Sequence, residues 1–144
     1  MRVSARVEYA CIAMLELASH YGSGEPVRIR SIAEDHEVPP RFLVQILLQL
    51  KGAGLVDSVR GAAGGYRLIR PPDEVSLGEV MEVVDPTPVS EDYQSAAKAD
   101  SPAVRVLVDA WRDVANVQRD MLHATNLSEL VERSRARQDQ MYHI

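Results

Sequence analysis

Residues 55–69 read LVDSVRGAAGGYRLI, and this stretch limits the fold more than any other. Leu55, Val56 and Val59 on one side, and Tyr66, Leu68 and Ile69 on the other, are the runs expected of two paired strands. Gly61, Gly64 and Gly65 mark a tight turn between them, because glycine takes positive φ without steric cost. Around this hairpin the pattern is helical. A helix is expected over 3–21, where Val3, Val7, Ala10, Cys11, Met14, Leu17 and Ala18 recur at three and four. GSGEP at 22–26 breaks it, and 27–30 reads as short and extended. Ser31 then caps a helix over 32–37, with Glu34 completing a capping box. Val38-Pro39-Pro40 ends that helix and opens a third, Arg41 to Ala53. The third helix turns Leu43, Ile46, Leu47 and Leu50 inward and stops at Gly54.

After the hairpin come a loop (70–76), a short helix (77–85) and a polar linker over 86–102. The longest regular segment follows. Val104, Val108, Trp111, Ala115, Gln118 and Leu122 step by four and three, and Leu107, Val114 and Met121 widen the stripe. That broad face suits dimerisation, with Trp111 expected in a core or lining an effector pocket. A last helix is expected over about 127–139, with the tail RSRARQDQMYHI frayed. This order predicts a mostly α fold: a winged helix-turn-helix with a two-stranded β-wing and a long C-terminal dimerisation helix. The expected division is a DNA-binding domain over 1–85, a flexible loop over 86–102, and the dimerisation and C-terminal helices over 103–144.

Composition narrows the function. No apolar run reaches the length of a membrane span. The basic-then-apolar start is interrupted by Glu8 and Glu16, so it reads as a helix of the domain and not as a signal peptide. The single cysteine, Cys11, excludes an intramolecular disulfide and fits a reducing cytoplasm. The chain carries a net charge of −5, unevenly: residues 1–70 are at +2 and residues 71–144 at −7. A phosphate-binding patch therefore belongs to the first half. No Ser/His/Asp set, phosphate loop or carboxylate pair suggests an enzyme. His20, His36, His123 and His143 lack metal-ligand spacing, which leaves them surface or capping roles.

The helix pair at 32–37 and 40–53 is a helix-turn-helix candidate, though by itself also an ordinary helical hairpin with a solvated arginine. In the first reading, Pro39, Pro40, Arg41, Phe42, Val44 and Gln45 meet base edges in the major groove. Arginine suits guanine, glutamine suits adenine, and Phe42 or a proline ring suits a thymine methyl. In the hairpin, Arg60 at the tip can enter a narrow minor groove, with Gly61 and its neighbours letting the backbone approach. Tyr66 flanks that tip, and Arg67 and Arg70 can add phosphate contacts.

The stretches MRVSARVEYACIAMLELA and VRIRSIAEDHEVPPRFLVQILLQLKGAGLVDSVRGAAGGYRLIRPPDEVSLGEVMEVVD, with the later AWRDV, resemble the IscR/NsrR/CymR type of bacterial transcription regulator, the Rrf2 family. The resemblance implies a homodimeric winged-helix DNA-binding protein. It places the recognition positions on Arg41, Phe42, Val44 and Gln45, and the minor-groove arginine on Arg60. Cluster-binding members carry three cysteines in the loop before the long helix. Carried across without gaps, those positions fall on Tyr93, Ala99 and Arg105, and a histidine position falls on Val108. None is a plausible iron ligand, and an iron–sulfur cluster needs several thiolates. Glu8 occupies a position where some relatives supply an acidic ligand, but one carboxylate cannot hold a cluster. The expectation is therefore a member without a cofactor, probing double-stranded DNA as a repressor. A small-molecule effector, a protein partner or redox sensing at Cys11 stand as alternative signals; Cys11 itself is expected to be a buried, unreactive thiol.

Overall fold

A computed structural model describes residues 1–86 and 95–142; Tyr93 and His143 lie outside the described residues. Its elements are helices α1 (Ala5–Ser19), α2 (Ile29–His36) and α3 (Pro40–Gly52), strands β1 (Val56–Val59) and β2 (Gly65–Leu68), a 3₁₀ turn (Pro72–Glu74), and helices α4 (Leu77–Val84), α5 (Pro102–Ala124) and α6 (Leu127–Tyr142). This is the expected mostly helical, winged helix-turn-helix order with a long C-terminal helix.

Each helix end has a local cause. Ser4 caps α1, accepting from the Val7 amide, so Val3 falls outside the helix and is exposed. The cap expected at Ser31 is not used. Val27 exchanges both backbone hydrogen bonds with Tyr66 at 2.8 Å, which ends the extended segment at Arg28. The helix therefore begins at Ile29, with Ser31 inside its first turn. Pro40 occupies the first turn of α3, where no amide is needed. Ser76 caps α4 through the Glu79 amide, Ser101 caps α5 through Val104, and Asn126 caps α6 through Glu129.

One buried cluster holds these elements. It contains Val7, Ala10, Ala13, Met14 and Leu17 of α1, Ile32 of α2, and Leu43, Ile46, Leu47 and Leu50 of α3. Val56 and Leu68 of the wing, Val80 and Val84 of α4, and Leu127 and Val131 of α6 complete it. The last helix thus returns to the body that carries the helix pair. Antiparallel bonds secure the return: the Leu77 amide donates to the Thr125 carbonyl and the Leu127 amide to the Val75 carbonyl, each at 2.9 Å. The tail expected to fray is helical as far as Tyr142; it has neither glycine nor proline to stop it.

The wing pairs antiparallel, Val56 opposite Leu68 and Val59 opposite Gly65. Its glycines do more than open the backbone. A Cβ on Gly64 would overlap the Val59 carbonyl, and one on Gly65 would overlap the Val27 carbonyl at a φ of +151°. Gly65 is the place where the wing lies against the segment leading into α2. Gly65→Ala should destabilise the fold by about 2 kcal/mol or more, through clash and backbone strain together. Gly61→Ala, strained but in open space, should cost less. Urea denaturation followed by circular dichroism checks the order; equal losses would contradict it.

Candidate nucleic-acid interface

Burial of Leu43, Ile46, Leu47 and Leu50 decides which face of α3 looks outward. At 100° per residue, Arg41, Val44, Gln45 and Leu48 lie opposite them, and all four are exposed. Leu48 was not singled out in the sequence, although it is one turn beyond Val44 and two beyond Arg41. With Val44 it gives the outer face an apolar strip suited to thymine methyls. Glu37, in the left-handed region at φ 54°, ends α2 and redirects the chain. Val38 is buried behind the turn, and Pro39 and Pro40 sit beside its outer edge.

Phe42, expected to meet a thymine methyl, is less exposed than its neighbours on this face. It is half-buried, packed on the core with its ring centroid 5.8 Å from that of Tyr9. The Arg41 guanidinium lies over the same ring at 5.1 Å. Stacking on an aromatic face holds a guanidinium without neutralising it, so Phe42 is a platform for Arg41. Gln49, on the flank of α3, accepts a hydrogen bond from the Arg6 guanidinium of α1. At the other end Lys51 donates to the Ser58 hydroxyl at 2.7 Å, tying α3 to the wing.

In the wing, Arg60 and Gly61 are exposed at the tip. Arg67 grips Asp57 across the two strands, Nε to Oδ1 at 2.9 Å, an ion pair that raises the guanidinium's pKa. Tyr66 is half-buried on the core, and its backbone is committed to Val27. Arg70, considered for a phosphate contact, instead holds the loop after the wing. It pairs with Glu79 at 2.6 Å and donates to the Glu74 carbonyl. A groove of about 440 Å³ separates the wing from the start of α2 and is lined by Arg28, Ile29, Ser58, Val59, Gly61 and Tyr66. Arg28 is a second residue the sequence pattern did not reveal; only the Val27–Tyr66 pairing brings it beside the wing.

The stripe of α5 expected to serve dimerisation divides in two. Val104, Val108, Ala115, Gln118 and Leu122 are half-buried, whereas Leu107, Trp111, Val114 and Met121 are 50–71% exposed. Trp111, expected in a core, is 52% exposed. The reason is that α5 meets the rest of the chain mainly through α4, along one side. There Gly78 lets the His123 ring come close, and His123 bonds Glu82 at 2.8 Å.

Comparison with known proteins follows this geometry. The sequence profile of the Rrf2 family, described as "Iron-dependent Transcriptional regulator", matches residues 3–133. The chain belongs to the Rrf2 family. CymR of Bacillus subtilis, a helix-turn-helix transcriptional regulator, is 34% identical over 134 residues, 90% of this chain and 89% of that protein. IscR of Aliivibrio salmonicida is 35% identical over 132 residues, 91% and 77% of the two chains. The solved structure of CymR, described as the global cysteine regulator of B. subtilis, superposes with a TM-score of 0.79 at 31% identity, covering 92% of this chain and 98% of that one. The chain is thus a DNA-binding transcriptional regulator and not an enzyme. No described helix is long and apolar enough to cross a membrane.

The family's description raises the question of iron, and the donor set does not fit a cluster. The whole sequence has one cysteine. Among the described residues no three His, Cys, Asp or Glu side chains are grouped to hold a metal ion. Ala99 is exposed, Arg105 pairs with Asp100 at 2.7 Å, and Val108 lies in α5. Burial, aided by the Glu8 charge, pushes the Cys11 thiol up to about 11. At pH 7 its alkylation by iodoacetamide should run at least about a hundredfold slower than that of an ordinary thiol and rise steadily up to about that pKa. A rate that levels off near neutral pH would contradict this burial.

Proposed function

We propose that the protein is a homodimeric, sequence-specific repressor that reads DNA with α3 and the wing and works without an iron–sulfur cluster. The observation that carries the reading is the set of three arginines on one surface, Arg28, Arg41 and Arg60, which border the helix pair and the wing and have no carboxylate partner among the described residues. Arg112, Arg135 and Arg137 are likewise unpaired but lie on α5 and α6. Arg30, Arg67, Arg70, Arg105, Arg119 and Arg133 are each paired with an acid. Cations left unpaired on one surface suit phosphate and groove contacts, because binding then breaks no internal ion pair. Arg41, Val44, Gln45 and Leu48 would read the major groove. Arg60 would enter the adjacent minor groove and Arg28 would border the phosphates, with Arg67 beside it keeping its bond to Asp57. Bound across a promoter, such a dimer represses by excluding polymerase.

The dimer reading rests on the outer stripe of α5. A helix of 23 residues with no fully buried side chain gains little from its own chain. Leu107, Trp111, Val114 and Met121 keep the four-three-seven spacing of a helix–helix seam. In this division residues 1–85 read DNA, 86–102 connect, and 103–144 dimerise, with α6 folded back on the reading unit. The acidic second half then faces away from the duplex.

Arg60→Ala should weaken operator binding several-fold or more in an anisotropy titration; unchanged affinity would remove the wing from the interface. Arg41→Ala should cost about 1–3 kcal/mol at one or two base pairs and relax specificity there. A uniform loss over all sequences would make Arg41 a phosphate contact instead. Leu107→Glu should give a folded monomer in sedimentation, since that side chain is more than half exposed within its own chain. A dimer that persists would relocate the interface.

A further inference from the structure

A second cleft, of about 510 Å³, lies between α1, the end of α2 and α6. Ile12 and Leu15 of α1 and Val131 of α6 give it an apolar floor. Its outer wall is a single face of α6. Val131, Ser134, Arg135 and Gln138 are spaced i, i+3, i+4 and i+7 and all line the cleft. The stripe of α6 that packs on α1 begins apolar, with Leu127 and Val131 in the core. It turns polar at Ser134, where α6 becomes exposed, so Ser134, Arg135 and Gln138 line the cleft from its solvent side.

The polar groups on that wall are donors. Arg135 offers a guanidinium with no carboxylate partner among the described residues, Ser134 a hydroxyl and Gln138 an amide. The facing carboxylate, Glu16, is already engaged: His36 Nε2 lies 3.1 Å from one oxygen and His20 Nδ1 3.8 Å from the other. The cleft therefore presents an apolar floor beside a solvent-accessible guanidinium with two neighbouring neutral polar groups. A guanidinium with neighbouring neutral donors matches a carboxylate, and the volume falls within the range of small-molecule sites.

We propose that this cleft binds a small amphipathic carboxylate, with its acid group on Arg135, Ser134 and Gln138 and its hydrocarbon body on Ile12, Leu15 and Val131. The wall opposite Arg135 ends at His36, the last residue of α2 before the turn into α3. An occupant would thus touch both α6 and the base of the helix pair. The site stands apart from the DNA-reading surface, and binding is read on the free protein, so its failure would leave the DNA reading untouched.

The test is an NMR titration of the intact protein with hexanoate, and with hexylamine as the same body of opposite charge. Hexanoate should give saturable shifts centred on Leu15, Ser134 and Arg135, and hexylamine should give none there. Arg135→Gln should weaken hexanoate by about tenfold or more, the usual cost of losing a charge-assisted partner. Arg137→Gln, on a part of α6 that does not line the cleft, should leave the affinity unchanged. The proposal is overturned if hexanoate gives no saturable shifts at the cleft, if hexylamine binds as well, or if Arg135→Gln binds hexanoate as tightly as the parent.

Discussion

The burial of Leu43, Ile46, Leu47 and Leu50 in the shared core, where α3 meets α1, α2 and α4, is the constraint on which the rest depends. Those four side chains fix the rotation of α3 about its own axis, and so present Arg41, Val44, Gln45 and Leu48 outward together. Shortening one of them would cost about 2–5 kcal/mol in the core and would also loosen the presentation of the reading face. Residues that touch no DNA in this account sharpen the same geometry. Phe42 stacks under Arg41, Arg6 reaches Gln49, and Lys51 ties the helix to the wing through Ser58.

The wing is held by a second, smaller constraint. Val27 pairs with Tyr66 on one side, and only glycine at position 65 permits that approach. The same pairing starts α2 at Ile29 and sets Arg28 beside the wing. Helix pair and hairpin are therefore one unit, with Arg28 lining the groove between them. The connection to α5 is narrower. It runs through the Gly78–His123 contact, the Glu82 carboxylate that His123 and Arg119 share, and the short strand-like stitch at Ser76 and Asn126.

Much of the architecture was legible because it follows from periodicity and punctuation. The inward set of α3, the hairpin, the short helix at 77 and the long helix after Pro102 all show in the sequence as spacing, proline or glycine. What stayed hidden depends on contacts between distant residues. Ser31 looks like a cap until Val27 is seen to pair with Tyr66. Arg70 looks like a phosphate ligand until Glu79 comes within reach. That Phe42 also packs on Tyr9 and supports Arg41 shows only in the fold. Trp111 sits in an apolar stripe, yet spacing alone cannot say whether a stripe faces its own chain or a second copy. Leu48 and Arg28 lay within reach of the helical spacing and the hairpin pairing, but neither has a residue type that points to DNA unaided.

The central claim is that two copies of this unit, joined along α5, present α3 and the wing to one duplex. Selection of bound fragments from a random DNA library by the purified protein tests it most directly. The account predicts enrichment of a palindrome whose half-sites lie about one helical turn or more apart, each with a stretch suited to a minor-groove arginine beside its major-groove core. Enrichment of an unrepeated half-site, or of no sequence at all, would contradict it.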